Sequence, residues 1–349
     1  MQKALLLIFT LFLYIFSPVW ANEKTLTEYS TFSKDKVPTI CEIRNCKTKP
    51  QSISNLTGNF PNEIKVFFSD IDGTLIPTDK SAPKGHIQQS VIEGAKELHD
   101  ADIPLYLITG RSSKEAIIIA KKIGINTKYV IGQQGAEIAT MNGDLIYESG
   151  ISSEVAKKIL CDISAFNKKN GNTIVPFIYV KGVLYTFQDS DLPYVIDKPV
   201  KLNSISDLGK NFSVIKVGLY SSDYDNLKAI RNHLARKYKK YNVVISADCY
   251  CDLSSKAANK GEGIKILTEI LGVELKNVAA IGDNENDISM LKLIKSKGGL
   301  AIAVENANKK TKKNANYVST NVANCGFLNA ARSVLANNNL LKTKNLILK

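Results

Sequence analysis

The stretch Asp70-Ile-Asp72-Gly73-Thr74-Leu75 follows an apolar run at residues 64–68 and sets two carboxylates two residues apart, ahead of a glycine. That spacing suits a job in which one carboxylate attacks and the other manages a proton. A calcium loop can also open with Asp-x-Asp-Gly, but it needs further oxygen ligands along the loop. Here the chain continues Thr74-Leu75-Ile76-Pro77, which supplies no such series. The plainer reading is a turn of charged residues without chemistry, since Asp and Gly are common in turns.

Three further groups fall at comparable places. Thr109-Gly110-Arg111 ends a second apolar run at 104–108, where a hydroxyl and free backbone N–H groups can hold phosphoryl oxygens. Lys260 opens a helical stretch at 261–271 and can set a fixed positive charge against phosphate. Gly282-Asp283-Asn284-Glu285-Asn286-Asp287 ends another strand and offers oxygen ligands for a hard cation. Singly, each has a bland reading: a common strand exit, a solvated lysine, an Asp/Asn-rich turn. Their joint arrival at strand ends along one edge gives them weight together.

The elements that must position these groups alternate strand and helix. After the run at 64–68 comes a helix over 85–101 with Ile87, Val91, Ala95 and Leu98 on one face, then a strand at 104–108. The next helix starts with the capping pattern Ser112-x-x-Glu115, turns Ile119 and Ile123 inward, and stops at Gly124. Residues 129–131, 278–281 and 300–303 supply further short strands. Strands spaced by helices predict an α/β fold, a Rossmann-like parallel sheet covered on both sides. The middle of the chain reads differently. A helix with Val155, Ile159, Ile163 and Phe166 on one stripe precedes strands at 174–180 and 183–187 joined by Lys181-Gly182, a hairpin signal. A strand at 214–220, a helix with Leu227, Ile230 and Leu234, and a strand at 243–246 follow. This is an inserted α+β unit.

With these motifs in place, the sequence resembles the haloacid dehalogenase-like hydrolase superfamily, specifically its Cof-type sugar-phosphatase branch, which carries a large cap. The four motifs stand in family order as SDIDGTL, LITGRS, the lysine of NKGEGIKIL, and IGDNENDISML, within residues 64–335. The resemblance implies a catalytic core at 63–151 and 249–336 and an α+β cap at 152–248. It implies that Asp70 is the nucleophile and Asp72 the general acid that later activates water. Mg2+ would be held by the Asp70 carboxylate, the Asp72 backbone carbonyl and Asp283, with Asn286 and Asp287 supporting that shell. Thr109, Gly110, Lys260 and Asn286 would grip the phosphoryl group. The implied activity is hydrolysis of a small phosphate monoester, a sugar phosphate or related metabolite, through an aspartyl-phosphate. Asp72 separates this from the dehalogenating branch, because removing halide needs no proton on an alkoxide. Two alternatives stand beside it: a phosphosugar mutase or phosphotransferase using the same phosphoenzyme, and an exported binding protein that keeps the fold without turnover. The cap carries no transferable motif, and Tyr179, Tyr185 and Tyr194 read first as cap core.

Composition sets outer limits. With 349 residues, 44% hydrophobic and 23% charged, the chain can bury a full core in one large or two moderate domains. Its formal charge of +13 is spread over scattered lysines, which argues against a nucleic-acid partner and leaves a solvated surface or a phosphate-attracting one. Lys3, the apolar residues 4–16, Pro18, and the small residues Val19 and Ala21 read as a signal peptide at 1–21 and so as export. The run falls short of the ~20 residues of a membrane span, so no stable span is expected after cleavage. Residues 22–62 read as a leader segment without strand or helix periodicity, and 337–349 as a frayed basic tail. Cys41 and Cys46 are spaced to close a small loop. Cys249 and Cys251 share a strand face but are strained against direct pairing, and Cys161 and Cys325 read as buried apolar groups. In a eukaryotic host, Asn55-Leu-Thr57 and Asn211-Phe-Ser213 would be glycan acceptor sequences.

Overall fold

The computed structural model describes residues 39–41, 60–78, 86–189, 192–193, 198–210, 212–247 and 249–347. The expected signal peptide, most of the leader segment, Cys46, Tyr194, and the acceptor positions Asn55 and Asn211 lie outside them.

In chain order the first part of the core holds β1 (Thr39–Cys41), β2 (Val66–Ser69), β3 (His86–Gln88), α1 (Gln89–Asp100), β4 (Leu105–Leu107), α2 (Ser113–Ile123), β5 (Tyr129–Gly132), β6 (Glu137–Thr140) and β7 (Leu145–Glu148). The cap follows as β8 (Ile151–Ser152), α3 (Ser153–Lys169), β9 (Val175–Val180), β10 (Val183–Thr186), β11 (Val200–Lys201), β12 (Ser213–Val214), β13 (Lys216–Tyr220), α4 (Tyr224–Lys237), β14 (Tyr241–Ala247) and β15 (Tyr250–Ser255). The core resumes with α5 (Lys260–Leu271), β16 (Val278–Gly282), α6 (Ile288–Ser296), β17 (Leu300–Ala303), α7 (Lys309–Lys313), β18 (Tyr317–Val318) and α8 (Gly326–Ile347).

The main sheet has strand order β18-β17-β16-β2-β4, with every pairing parallel. β2, β4, β16 and β17 are buried at every position, as a sheet covered on both faces requires. Successive residues feed opposite layers. Phe67 joins the cluster under α1, α2 and α8 with Leu98, Ile119 and Phe327, whereas Phe68 joins the cluster under α5 and α6 with Leu267 and Leu291. The capping box at Ser112 and Glu115 and the left-handed Gly124, with φ of 80°, bound α2 as the sequence predicts.

The cap is a six-stranded sheet ordered β11-β10-β9-β13-β15-β14. Its hairpin turns at Lys181 and Gly182, whose φ of 49° and 68° are both left-handed, as a tight hairpin needs. One face packs Ile178, Val217, Leu219, Cys251 and Leu253 with Ile159 and Ile163 of α3 and Leu227 and Ile230 of α4. Period-two alternation sends Phe177, Tyr179, Lys216, Tyr250 and Asp252 to the other face, toward the core. Tyr185, opposite Ile178, packs against the helix-covered layer, and Tyr179 is buried in a second cluster with Phe177 and Leu184, so both described tyrosines are cap core and Tyr179 lines the cavity as well.

Five sequence-based expectations change. β15 pairs with β13 and β14, so the cap runs to Ser255 and the core resumes after it, not at 249. The strand at 129–131 pairs antiparallel with β6 in a separate three-stranded sheet β5-β6-β7, which joins the main sheet through the Ile108–Ile131 bridge and packs Ile131 and Ile138 with Phe68 and Tyr106. Residues 337–347 are the last turns of α8 and not a frayed tail; Asn337 and Asn338 are buried there. Within the leader, β1 pairs in parallel with β3. Cys161 is exposed and Cys325 is disulfide-bonded, so neither is a buried apolar thiol; Cys251 keeps a free thiol, in line with the expectation against Cys249–Cys251 pairing.

Candidate active site

Parallel pairing of β2 between β16 and β4 brings three strand exits side by side: Asp70 after Ser69, Thr109 two residues after Leu107, and Asp283 after Gly282. The carboxyl edge of a parallel sheet is where such folds bind ligands. The N-terminus of α5 approaches from one layer and delivers Lys260, which is fully buried.

Lys260 Nζ donates to Asp70 Oδ1 at 2.5 Å and to Asp287 Oδ1 at 2.6 Å. The other Asp287 oxygen accepts the backbone N–H groups of Asp283 and Asn284, both at 2.9 Å. Burial alone would lower the lysine pKa, but the charges of Asp287 and Asp70 outweigh it and hold the ammonium charged. Burial, and then the charge of Asp287, pushes the Asp70 carboxyl well above the usual range despite Lys260. The same two causes raise Asp283 to about 7. Carboxyl groups outnumber the lysine here, and the deficit is one of positive charge.

Gly73, at φ of 84°, lets the loop pass close beneath Asp283: a Cβ there would stand 2.3 Å from its Oδ2. The Thr74 hydroxyl donates to Asp283 Oδ1 at 3.1 Å, and Asn306 Nδ2 donates to the Gly73 carbonyl at 2.7 Å. Asp70, Asp283 and Asp287 offer carboxylate oxygens that all lie within 4.8 Å of one another. A compact set of hard oxygen donors short of positive charge fits Mg2+ in kind. With both Asp287 oxygens already engaged, Asp70 and Asp283 are the side chains of the set left to face an ion.

Asp72 stands apart from this cluster. Arg111 Nε donates to its Oδ2 and Nη2 to its Oδ1, both at 2.7 Å. Burial opposes the guanidinium charge, and Asp72 more than restores it. The buried Thr109 hydroxyl accepts the Arg111 N–H at 3.1 Å. Asn286 Nδ2 donates to Gln134 Oε1 at 3.1 Å, and Gly110 lies against the same glutamine, whose Nε2 would be 2.5 Å from an added Cβ.

A cavity of about 230 Å³ opens over Asp70, Asp72, Thr109, Gly110 and Asn286, roofed by Phe177, Tyr179, Lys216, Tyr250 and Asp252 of the cap. Asp283, Asp287 and Lys260 stand behind Asp70, joined to it through the contacts above without lining the cavity themselves. All eight sequence-predicted residues therefore converge on one site. Sequence reasoning quoted Arg111 without giving it a role; its place two residues after Thr109 was the available signal. Of the cap contributors Tyr179 was named and read first as cap core; Phe177, Lys216, Tyr250 and Asp252 were missed because an alternating strand does not reveal which face meets the core.

The sequence model of the haloacid dehalogenase-like hydrolase family matches residues 67–330. A phosphoglycolate phosphatase from Methanothermobacter thermautotrophicus is 26% identical over 268 residues, covering 75% of this chain and 95% of its own. An HMP-PP phosphatase from Escherichia coli O6:H1 is 24% identical over 237 residues, covering 64% of this chain and 78% of its own. Among solved structures, a haloacid dehalogenase-like hydrolase from Bacteroides thetaiotaomicron superposes with a TM-score of 0.64 at 22% identity, covering 78% of this chain and 99% of that one.

Proposed function

The chain belongs to the haloacid dehalogenase-like hydrolases, and on that premise we propose that it is a magnesium-dependent phosphatase that hydrolyses a small phosphate monoester through a phosphorylated Asp70. The observation that carries this reading is the buried Lys260 ammonium shared between Asp70 and Asp287, with the Arg111-bound Asp72 across the same cavity.

A carboxylate approaching a phosphate dianion meets charge repulsion, so positive charge must stand ready before positioning can help. Lys260 supplies part of it. Asp70, Asp283 and the Asp72 backbone carbonyl would hold Mg2+, which would supply further positive charge against the meeting of carboxylate and phosphate.

In the first displacement an Asp70 oxygen forms the new P–O bond while the bond to the leaving alcohol breaks, and Asp72, as the protonated acid, gives that oxygen its proton. The Asp72 carboxylate then takes a proton from water, whose oxygen attacks phosphorus, and the Asp70–phosphorus bond breaks to release inorganic phosphate and the free carboxylate. Thr109, Gly110 and Asn286 line the space the phosphoryl oxygens occupy. Arg111 holds both oxygens of Asp72 in its carboxylate form, the form that takes the proton from water, and fixes the plane of the group.

Export is part of the same proposal, supported by the basic start, the apolar residues 4–16 and the small residues before position 22. N-terminal sequencing of the protein recovered outside the producing cytoplasm checks it. For the chemistry, rapid acid quench during turnover followed by mass spectrometry should find the Asp70 peptide carrying a phosphoryl group, and borohydride should trap the same position. A substrate that disappears while no modified peptide forms would end this reading.

A further inference from the structure

The cap wall of the cavity has its own polar constellation, which the chemistry above does not use. Lys216 on β13 and Asp252 on β15 form an ion pair at 3.5 Å, with side chains only 12% and 10% exposed. The Lys216 ammonium also stands 5.2 Å from the centre of the Tyr179 ring, and both charged groups line the cavity with Asp70 and Asp72. Register puts them there: Lys216 pairs with Tyr179 of β9 and Ser254 of β15, and Gly218, two residues on, pairs with Phe177 and Asp252. Gly218 is required, because an added Cβ would lie 2.0 Å from the Phe177 ring. The absent side chain lets that ring lie across β13, and it meets Tyr179 and Tyr250 edge to face. The result is a partly aromatic wall with one neutral charge pair set into it.

We infer that Lys216 and Asp252 read the leaving group, and that they select a neutral, hydroxyl-bearing one over a leaving group that carries a second anionic charge. This rests on the phosphatase reading of the site. Asp252 accepts only and Lys216 donates only, so together they satisfy the two halves of a hydroxyl's bonding, or two neighbouring hydroxyls. The aromatic rings offer an apolar surface to the carbon side of the same group. A carboxylate or second phosphate fits badly. Among the described residues lining this cavity, both cations already face carboxylates, Arg111 with Asp72 and Lys216 with Asp252. A second anion would have to displace Asp252 from Lys216 and then lie beside it. Selectivity of this kind comes from leaving buried polar groups unpaired in the wrong complex.

The test compares wild type with Asp252→Asn and Lys216→Met on three esters in the presence of Mg2+: glucose 6-phosphate, 2-phosphoglycolate and p-nitrophenyl phosphate. Wild type should prefer glucose 6-phosphate over 2-phosphoglycolate in kcat/KM. Both variants should lower kcat/KM for glucose 6-phosphate at least tenfold more than for p-nitrophenyl phosphate, chiefly through KM. Asp252→Asn, which uncovers the Lys216 charge, should in addition raise kcat/KM for 2-phosphoglycolate. A wild-type preference for 2-phosphoglycolate, or equal losses on all three esters, overturns the inference while leaving the phosphatase intact. Calorimetric titration of the same ligands reads the pair without turnover. If no ester is hydrolysed but glucose 6-phosphate binds more tightly than 2-phosphoglycolate and Asp252→Asn narrows or reverses that preference, the proposed reaction falls and the inference stands. A preference that Asp252→Asn leaves unchanged, with either readout, overturns it.

Discussion

Arg111 holds both carboxylate oxygens of Asp72 in its fork, Nε to Oδ2 and Nη2 to Oδ1, each at 2.7 Å. Behind it, Glu115 approaches the guanidinium at 3.7 Å, and Glu115 is fixed in turn by the capping box that starts α2. A helix start thereby orients the proposed acid. Removing the fork with Arg111→Ala should lower kcat by roughly 10- to 100-fold, within the range of a misplaced proton donor, with a smaller change in KM. Arg111→Lys should not restore it, since an ammonium cannot present two parallel donors. Steady-state kinetics on an alkyl phosphate decides.

Asp72→Asn should separate substrates by their need for a proton. In kcat/KM, which reads the first displacement and not the water attack common to both esters, an alkyl phosphate should fall by about 10²- to 10⁴-fold, the usual contribution of a general acid, while p-nitrophenyl phosphate, whose leaving group departs as a stable anion, should fall far less. Equal losses on both esters would remove Asp72 from the role of acid.

Asp70→Asn should eliminate phosphate release, by roughly a thousandfold or more, with the circular dichroism spectrum unchanged. Chelation should likewise stop turnover, and added Mg2+ should restore it. Asp283→Asn should raise the Mg2+ concentration for half-maximal activity at least about tenfold. Activity that persists after exhaustive chelation would dismiss the metal.

The candidate catalytic edge was legible because its residues are tied to strand ends, and a strand end in a covered parallel sheet is marked by where an apolar run stops. Asp70, Thr109 and Asp283 needed only that. Lys260 needed its helix start, also visible in sequence. The misreadings share another cause. β15 carries Cys251 and Asp252 near its head and looked like the resumption of the core, because pairing partners 30 to 38 residues away at Lys216 to Tyr220 leave no local trace. Residues 337–347 looked unstructured because the stretch is rich in Asn and Lys, yet Asn338 is buried and spends its side chain on the backbone of Ile64. Tertiary demand overrode propensity at both places.

That last contact makes a stability prediction. Asn338 Oδ1 accepts the Ile64 N–H at 2.9 Å, and its Nδ2 donates to the Ile64 carbonyl at 2.7 Å. Asn338→Ala leaves two buried backbone groups without partners, at about 1–3 kcal/mol each. A chain ending at residue 336 should lose at least as much, seen as a lower midpoint in urea. No change on either alteration would return this segment to the status of a tail.

Gly218→Ala should disturb the cap wall and not the catalytic edge. The added methyl meets the Phe177 ring at 2.0 Å, so the ring must move, at a cost of about 1–3 kcal/mol. KM should rise for bulky esters while acid-quench labelling of Asp70 persists.

Glu137 supplies a pH prediction. It is fully buried, and burial pushes its carboxyl above the ordinary 4.5 in spite of the Ser113 hydroxyl and N–H that donate to it; its second oxygen accepts no hydrogen bond from the described residues. A carboxyl raised on folding favours the protonated folded state. Its contribution is therefore most favourable below the unfolded value and declines as pH rises through the folded one. Glu137→Gln should raise the melting temperature at pH 8 relative to wild type, with the gap narrowing toward pH 4. A gap that widens on acidification would reverse the assignment.

Asp70 and Lys260 touch across 190 residues of sequence, and the whole cap is threaded between them. During synthesis, a ribosome-bound chain that has extended through the cap already displays both aspartates of the first motif, yet it has no ammonium to set beside them and no β16 to close the flank of β2. Such a nascent chain carries only part of the proposed site. The rest is contributed by residues from Lys260 onward, so a chain truncated before that position would lack the ammonium, Asp283 and the flank of β2 together.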